Sequence, residues 1–100
     1  MNDLQKRAIE VFGMETQLLH AVEELTELSF EIQNVCRAMR EGKEFRVNEL
    51  LYEYCDGVNA LKTIHIFLNQ YRVSSRMIAS IQRSKDFKFL QYIEKAEEKQ

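Results

Sequence analysis

Residues 47–71 read VNELLYEYCDGVNALKTIHIFLNQY, and their pattern gives the strongest indication of the fold class. Its apolar side chains recur at intervals of three and four residues, which predicts an α-helix. They cover most of the helix circumference, a pattern typical of a helix that is buried on several sides. A chain of 100 residues has a modest core, because it buries only about 60–70% of its unfolded surface. We therefore expect a second subunit to cover part of this helix.

A second long helix is predicted just before this stretch. Residues 15–41 show the same spacing of apolar side chains, and Gly42 is expected to end the helix. The segment GKEFRVN then forms a short polar connection. Residues 3–12 predict a short first helix that ends near Gly13. Two long helices joined by so short a connection are expected to pack antiparallel.

The C-terminal third predicts shorter helices. Ser74 or Ser75 is expected to cap a helix over residues 75–84, and residues 86–98 predict a further amphipathic helix. The chain has no proline and only three glycines, which favours long helices over a turn-rich β fold. No repeat or long linker divides it. The predicted fold is an all-α helical bundle of four to five helices, with two long antiparallel core helices, in a single domain over residues 1–100.

Charge and hydropathy exclude several classes of protein. The chain has 14 basic and 16 acidic residues, a net charge of −2, whereas a general nucleic-acid binder usually carries a basic surplus. No apolar run suits a signal peptide, and none approaches the ~18 residues of a membrane span. We expect a cytoplasmic protein with no nucleic-acid or membrane partner. Cys36 and Cys55 form no close metal-ligand pair and are expected to be free thiols packed as small apolar side chains.

The most informative feature is a pair of acidic motifs, one on each long helix. Residues 23–27 read EELTE and residues 53–56 read EYCD. Side chains three residues apart share one face of a helix, so each motif presents two neighbouring carboxylates. Antiparallel helices can bring all four together, and a divalent cation would then relieve their repulsion. Mg²⁺ prefers such oxygen ligands. The predicted ligands of Mg²⁺, or alternatively Mn²⁺, are Glu24, Glu27, Glu53 and Asp56.

The helical wheel supports this interpretation. At about 100° per residue, Glu53 falls between Ala60 and Ile64, inside the apolar sector of its helix. An unpaired carboxylate there would be destabilising. Glu24 borders the apolar sector of the other helix, where His20 shares its polar strip and could support it. The alternative is that the acids form an ordinary solvated face, because acidic pairs at this spacing are common.

The order and spacing of these acids resemble the EExxE…ExxD pattern of the MazG-like all-α nucleoside triphosphate pyrophosphohydrolases. METQLLHAVEELTELSFEI resembles the first core helix of that family, and NELLYEYCDGVNALKTI resembles the second. RSKDFKFLQYIEK is similar to a later basic segment. The resemblance covers most of residues 12–95.

The resemblance implies a metal-dependent hydrolase that cleaves an NTP or dNTP to the monophosphate and pyrophosphate. By position, the four acids named above match the family's metal ligands, and Glu23 or Glu27 would activate water. Lys85 and Lys88 match positions that contact phosphates, and Gln17 precedes the acids and is expected to contact substrate. Asn59, one turn after Asp56, could contact a base, a sugar or a metal-bound water. The resemblance also implies a homodimer or homotetramer.

Two departures keep an alternative function open. Cys55 and Gly57 flank Asp56 where the family usually has the sequence Ala-Asp-Val. The chain could therefore be a catalytically degenerate helical module that binds nucleotides or proteins. A ferritin-like di-iron site is disfavoured, because it uses Glu-x-x-His and neither histidine follows a glutamate by three residues. The preferred base and sugar, the number of metal ions and the size of the oligomer stay open.

Overall fold

The computed structural model describes residues 3–100, which form helices and contain no strand. The helices are α1 (Asp3–Phe12), α2 (Met14–Glu41), α3 (Val47–Asn69) and α4 (Ser75–Glu98). The predicted all-α class is confirmed. The chain divides into two compact units, the first ending at Leu68 and the second beginning at Asn69. Among the described residues, none of the helices has the length and apolar character needed to cross a membrane.

The two predicted glycine boundaries are confirmed, because α1 and α2 each end beside a glycine with a positive φ angle. Gly13, with φ +92°, separates α1 from α2, and Gly42, with φ +66°, follows α2. Side chains with a Cβ rarely adopt such angles. At the end of α2, the N–H of Lys43 donates to the carbonyl of Ala38 at 2.8 Å, and that of Gly42 donates to Met39 at 3.3 Å. These are the two hydrogen bonds of a Schellman motif.

Helices α2 and α3 pack antiparallel in the first unit. Ala21, early in α2, lines the same cavity as Ala60, late in α3, whereas Ile32, later in α2, lines the same groove as Val47 at the start of α3. Most of the side chains buried in this contact are small. A Cβ built on Gly57 would lie only 2.8 Å from Cδ2 of Leu28, so the helices approach closely there. The buried residues of α2 and α3 are Ala21, Gly57, Ala60, Thr63 and Ile66.

Much of the apolar surface predicted to be buried is exposed in this chain. On α3, Leu51 and Leu61 are each more than half exposed, and Tyr54 is exposed as well. The prediction that Cys36 and Cys55 are packed as apolar side chains is wrong, because both are exposed free thiols. Each lies on a side of its helix that the small-residue contact does not cover.

In the second unit, a single helix replaces the two that were predicted. The hydroxyl of Ser74 accepts a hydrogen bond from the backbone N–H of Met77 at 3.1 Å, which confirms the predicted cap. The predicted break near residue 85 is wrong, and α4 continues to Glu98. No glycine or proline interrupts this segment, and the amide of Gln82 donates to Asp86 at 2.9 Å, one helical turn later across the predicted break.

Replacing Gly57 with leucine tests the close approach of α2 and α3. We expect Gly57→Leu to lower the free energy of unfolding by about 1–3 kcal/mol, as extra methylenes in a packed contact usually do. Chemical denaturation followed by circular dichroism measures the change. In the control Gly57→Ala, alanine is favoured over glycine in helices by about 1 kcal/mol and the end of Leu28 can rotate, so the loss is smaller. A leucine variant as stable as the wild type would contradict the close approach.

Candidate metal centre and adjoining cavity

Three of the four predicted ligands lie together where α2 faces α3. Glu24, Glu27 and Glu53 each offer a carboxylate oxygen, and these oxygens all lie within 4.8 Å of one another. Asp56 adjoins this group, because its carboxyl lies within hydrogen-bonding reach of Glu24 whenever one of the two is protonated. The same relation joins Glu27 and Glu53. These four residues are the acidic cluster, and their role as metal ligands stays a prediction.

The neighbours within the acidic cluster come from different helices. Glu24 pairs with Asp56, and Glu27 pairs with Glu53, so residue numbers rise along α2 as they fall along α3. This is the register expected of antiparallel helices. Four carboxyl groups from two helices therefore share one small region.

Two oxygens of the acidic cluster are shielded from solvent. Oε2 of Glu24 and Oε2 of Glu53 are buried, and when the carboxylates are ionised no donor among residues 3–100 hydrogen-bonds to either atom. The Glu24 side chain as a whole is 18% exposed. A buried acceptor without a donor is destabilising, and more so when it carries charge. A bound cation would satisfy both oxygens.

Burial is the largest influence on the acid strength of both glutamates. It raises the pKa of Glu24 above the ordinary value of 4.5, Asp56 and Glu27 raise it further, and His20 lowers it. Burial likewise raises the pKa of Glu53, with further increases from Glu27, Asp56 and Glu24. The negative charges of the acidic cluster thus oppose one another, and protons compete with any cation for these oxygens.

His20 lies between Glu24 and Glu23. Its Nε2 is 3.2 Å from Oε1 of Glu24, and its Nδ1 is 3.9 Å from Oε2 of Glu23. Because His20 contacts Oε1 of Glu24, the buried Oε2 of the same carboxylate is left for another partner. The Glu23 side chain is 73% exposed and lies outside the group of three close carboxylates.

A cavity of about 260 Å³ adjoins the acidic cluster within the first unit. Glu24 and Asp56 belong to both the cavity wall and the cluster. The predicted substrate residues Gln17 and Asn59 line it, one from α2 and one from α3. Residues from all three helices of the unit form the wall: Leu4, Gln5, Ala8, Gln17, His20, Ala21, Glu24, Asp56, Asn59, Ala60 and Thr63.

The remaining predicted substrate residues lie elsewhere in the chain, and Gln5, a polar residue of the cavity wall, was assigned no role from the sequence. Lys85 and Lys88 are exposed on α4, in the second unit, and their contact with phosphates stays a prediction. Nothing in the local sequence of α1 indicates that Gln5 lines the cavity, since α1 reaches the cavity only because the chain turns at Gly13.

Comparison with known proteins finds no matching family model, no matching curated protein and no matching solved structure.

The raised pKa values predict how stability depends on pH when no metal is bound. Between pH 4.5 and the raised pKa values, the folded protein binds more protons at Glu24 and Glu53 than the unfolded chain does. The free energy of unfolding contributed by these groups is therefore lost as pH rises through that window. Urea denaturation in chelator across a pH series measures it.

Glu53→Gln should flatten this decline, because it removes one of the two raised groups and one charge from the acidic cluster. The matched control is Glu49→Gln, one turn earlier on α3, where the glutamate lies 3.9 Å from Arg46 and outside the group of close carboxylates. It should keep the wild-type slope. If the free energy of unfolding falls with pH at the same slope in wild type and Glu53→Gln, the neighbouring carboxylates do not raise the pKa of Glu53.

Proposed function

We propose that the chain is a Mg²⁺-dependent nucleotide pyrophosphohydrolase that converts an NTP or dNTP to the monophosphate and pyrophosphate. The observation that carries the proposal is the meeting of Glu24, Glu27 and Glu53 within 4.8 Å, from two helices whose motifs resemble those of the MazG-like enzymes. The cavity beside the acidic cluster supports it further, because a nucleotide needs room next to the acids.

The chemistry of the donor set fits a hard divalent cation. Every predicted ligand is a carboxylate oxygen, which suits Mg²⁺ or Mn²⁺, and two of these oxygens are buried without a donor. Glu24, Glu27, Glu53 and Asp56 would hold the ion. When bound, it would neutralise charge on phosphate oxygens and acidify a water molecule.

Of the two acids proposed as the base, Glu27 has the better position. It belongs to the acidic cluster and is exposed, so it can accept a proton from a water molecule that approaches from solvent. Glu23 points toward His20 and lies outside the group of close carboxylates. In the proposed reaction, the water oxygen bonds to the α-phosphorus and the bond from that phosphorus to the oxygen bridging to the β-phosphorus breaks. Lys85 and Lys88 would offset charge on the phosphates.

A second copy of the chain is proposed as the partner. The side of α2 and α3 beyond the acidic cluster carries a groove whose wall is entirely apolar. Ile32, Val47, Leu51 and Tyr54 of this groove are exposed, and a partner surface would remove their apolar area from water. A homodimer or homotetramer would cover the groove. The groove is formed by Leu28, Ile32, Val47, Leu50, Leu51 and Tyr54.

The decisive assay measures pyrophosphate release from each NTP and dNTP with Mg²⁺, for wild type and Glu53→Gln. We expect the variant to lose about a hundredfold or more in kcat/KM, because metal-held charge contributes several kcal/mol to such reactions. Glu49→Gln, the same change one turn away on α3, should keep wild-type activity. A Glu53→Gln enzyme that turns over at the wild-type rate would refute Glu53 as a ligand.

The same apolar groove favours a second candidate, a non-catalytic module that binds a protein or a nucleotide. Titration calorimetry with Mg²⁺ and a dNTP panel separates the two functions. Binding of a nucleotide without turnover favours the module, whereas turnover supports the hydrolase.

A further inference from the structure

The cavity beside the acidic cluster has a wall suited to an uncharged polar group. Gln5, Gln17 and Asn59 bring primary amides to it from three different helices, and none of these amides makes a hydrogen bond to a described side chain or backbone group. Gln5 and Gln17 are half-buried, and Asn59 is exposed. Each amide offers two N–H donors and a carbonyl acceptor. Solvent reaches these amides in the free protein, and a ligand that presents both donors and acceptors would replace that water with direct hydrogen bonds.

Charge separates this cavity from the acidic cluster. No lysine or arginine lines the cavity among the described residues, and its only carboxylates, Glu24 and Asp56, lie where it meets the cluster. A phosphate group inside the cavity would therefore meet no lysine or arginine, and the one histidine of the wall, His20, already contacts Glu23 and Glu24. Phosphates belong beside a metal held by the cluster, and the neutral part of a nucleotide belongs among the amides.

The length and volume of the cavity agree with placing the nucleoside inside it and the phosphates beside the acidic cluster. Gln17 precedes Glu24 by seven residues on α2, which corresponds to about 10 Å along the helix axis. The volume of about 260 Å³ falls just below the ~300–1,000 Å³ of pockets that enclose whole drug-sized ligands. It suits one nucleoside whose phosphates extend out toward the acids. The buried Ala21 and Ala60 line the wall and leave this space open.

We propose that this cavity is the nucleoside subsite and that Gln5 of α1 is a specificity-determining residue that hydrogen-bonds the edge of the base. The placement of the phosphates rests on the proposed hydrolase function, whereas recognition of the base does not. Helix α1 supplies none of the acids, and α2 and α3 alone complete the acidic cluster. The contribution of α1 is thus selection of the base.

The first test measures kcat/KM for ATP, GTP, CTP, UTP and the four dNTPs. In Gln5→Leu, we expect the ratio between the most and least preferred bases to fall about fivefold to tenfold, the size expected from loss of one amide hydrogen bond. The Mg²⁺ dependence should not change. Gln5→Glu keeps an acceptor and loses the N–H donors, so it should shift preference toward bases with an exocyclic amino group. Lys6→Leu, an exposed change at the next position of α1, should keep the wild-type ratios.

The second test uses free nucleosides without Mg²⁺ and needs no catalysis. In the wild type, we expect nucleosides to change the chemical shifts of the side-chain amides of Gln5, Gln17 and Asn59. In Gln5→Leu, the changes at Gln17 and Asn59 should be lost for one base. Together these results would support the subsite. Hydrolysis by Gln5→Leu and Gln5→Glu with wild-type base ratios would overturn the role of Gln5. Absence of any nucleoside-induced shift in these amides would overturn the subsite. A wild type that hydrolyses no nucleotide but shows the shifts would refute the hydrolase and leave the subsite supported.

Discussion

Repulsion among four carboxyl groups is the constraint on which the arrangement of α2 and α3 depends. Glu24 meets Asp56 and Glu27 meets Glu53, each pair across the helix contact. Such crowding opposes the close packing of the two helices, and it is strongest where Oε2 of Glu24 and Oε2 of Glu53 are hidden from water. Binding of a divalent cation would convert this repulsion into attraction. Binding of a metal would then also stabilise the packing of α2 against α3.

The small residues of the contact explain why the carboxylates come so close. Ala21 and Ala60 are almost fully buried, and Gly57 leaves space for Leu28. Small side chains allow two helices to approach, but they bury little apolar area and so contribute little hydrophobic free energy. Six larger apolar side chains of α2 and α3 line the exposed groove instead. The first unit therefore gains little stability from its own core, and the proposed cation and the proposed second copy would each add to it.

The same contact divides the proposed site by chemical character. Between the helices, the face with Glu24, Glu27, Glu53 and Asp56 carries charge, and one to two turns farther along each helix the wall becomes neutral and polar. A nucleotide has the same division between phosphates and base. The cavity is completed by α1, which contributes no acid, so the parts of the site proposed for chemistry and for selection lie on different helices.

The positions of the helix ends, and of the acids within the helices, follow mainly from local sequence. Glycines with positive φ end α1 and α2, apolar spacing marks α2 and α3, and Ser74 caps α4; each of these effects acts over a few residues. The prediction of a break near residue 85 was wrong because no glycine, proline or capping motif ends the helix there. Which acids of α2 meet which acids of α3, and that Gln5 reaches the cavity, were decided only by tertiary structure. Those contacts join residues far apart in the chain, and their register depends on how closely Ala21, Gly57 and Ala60 let the helices pack.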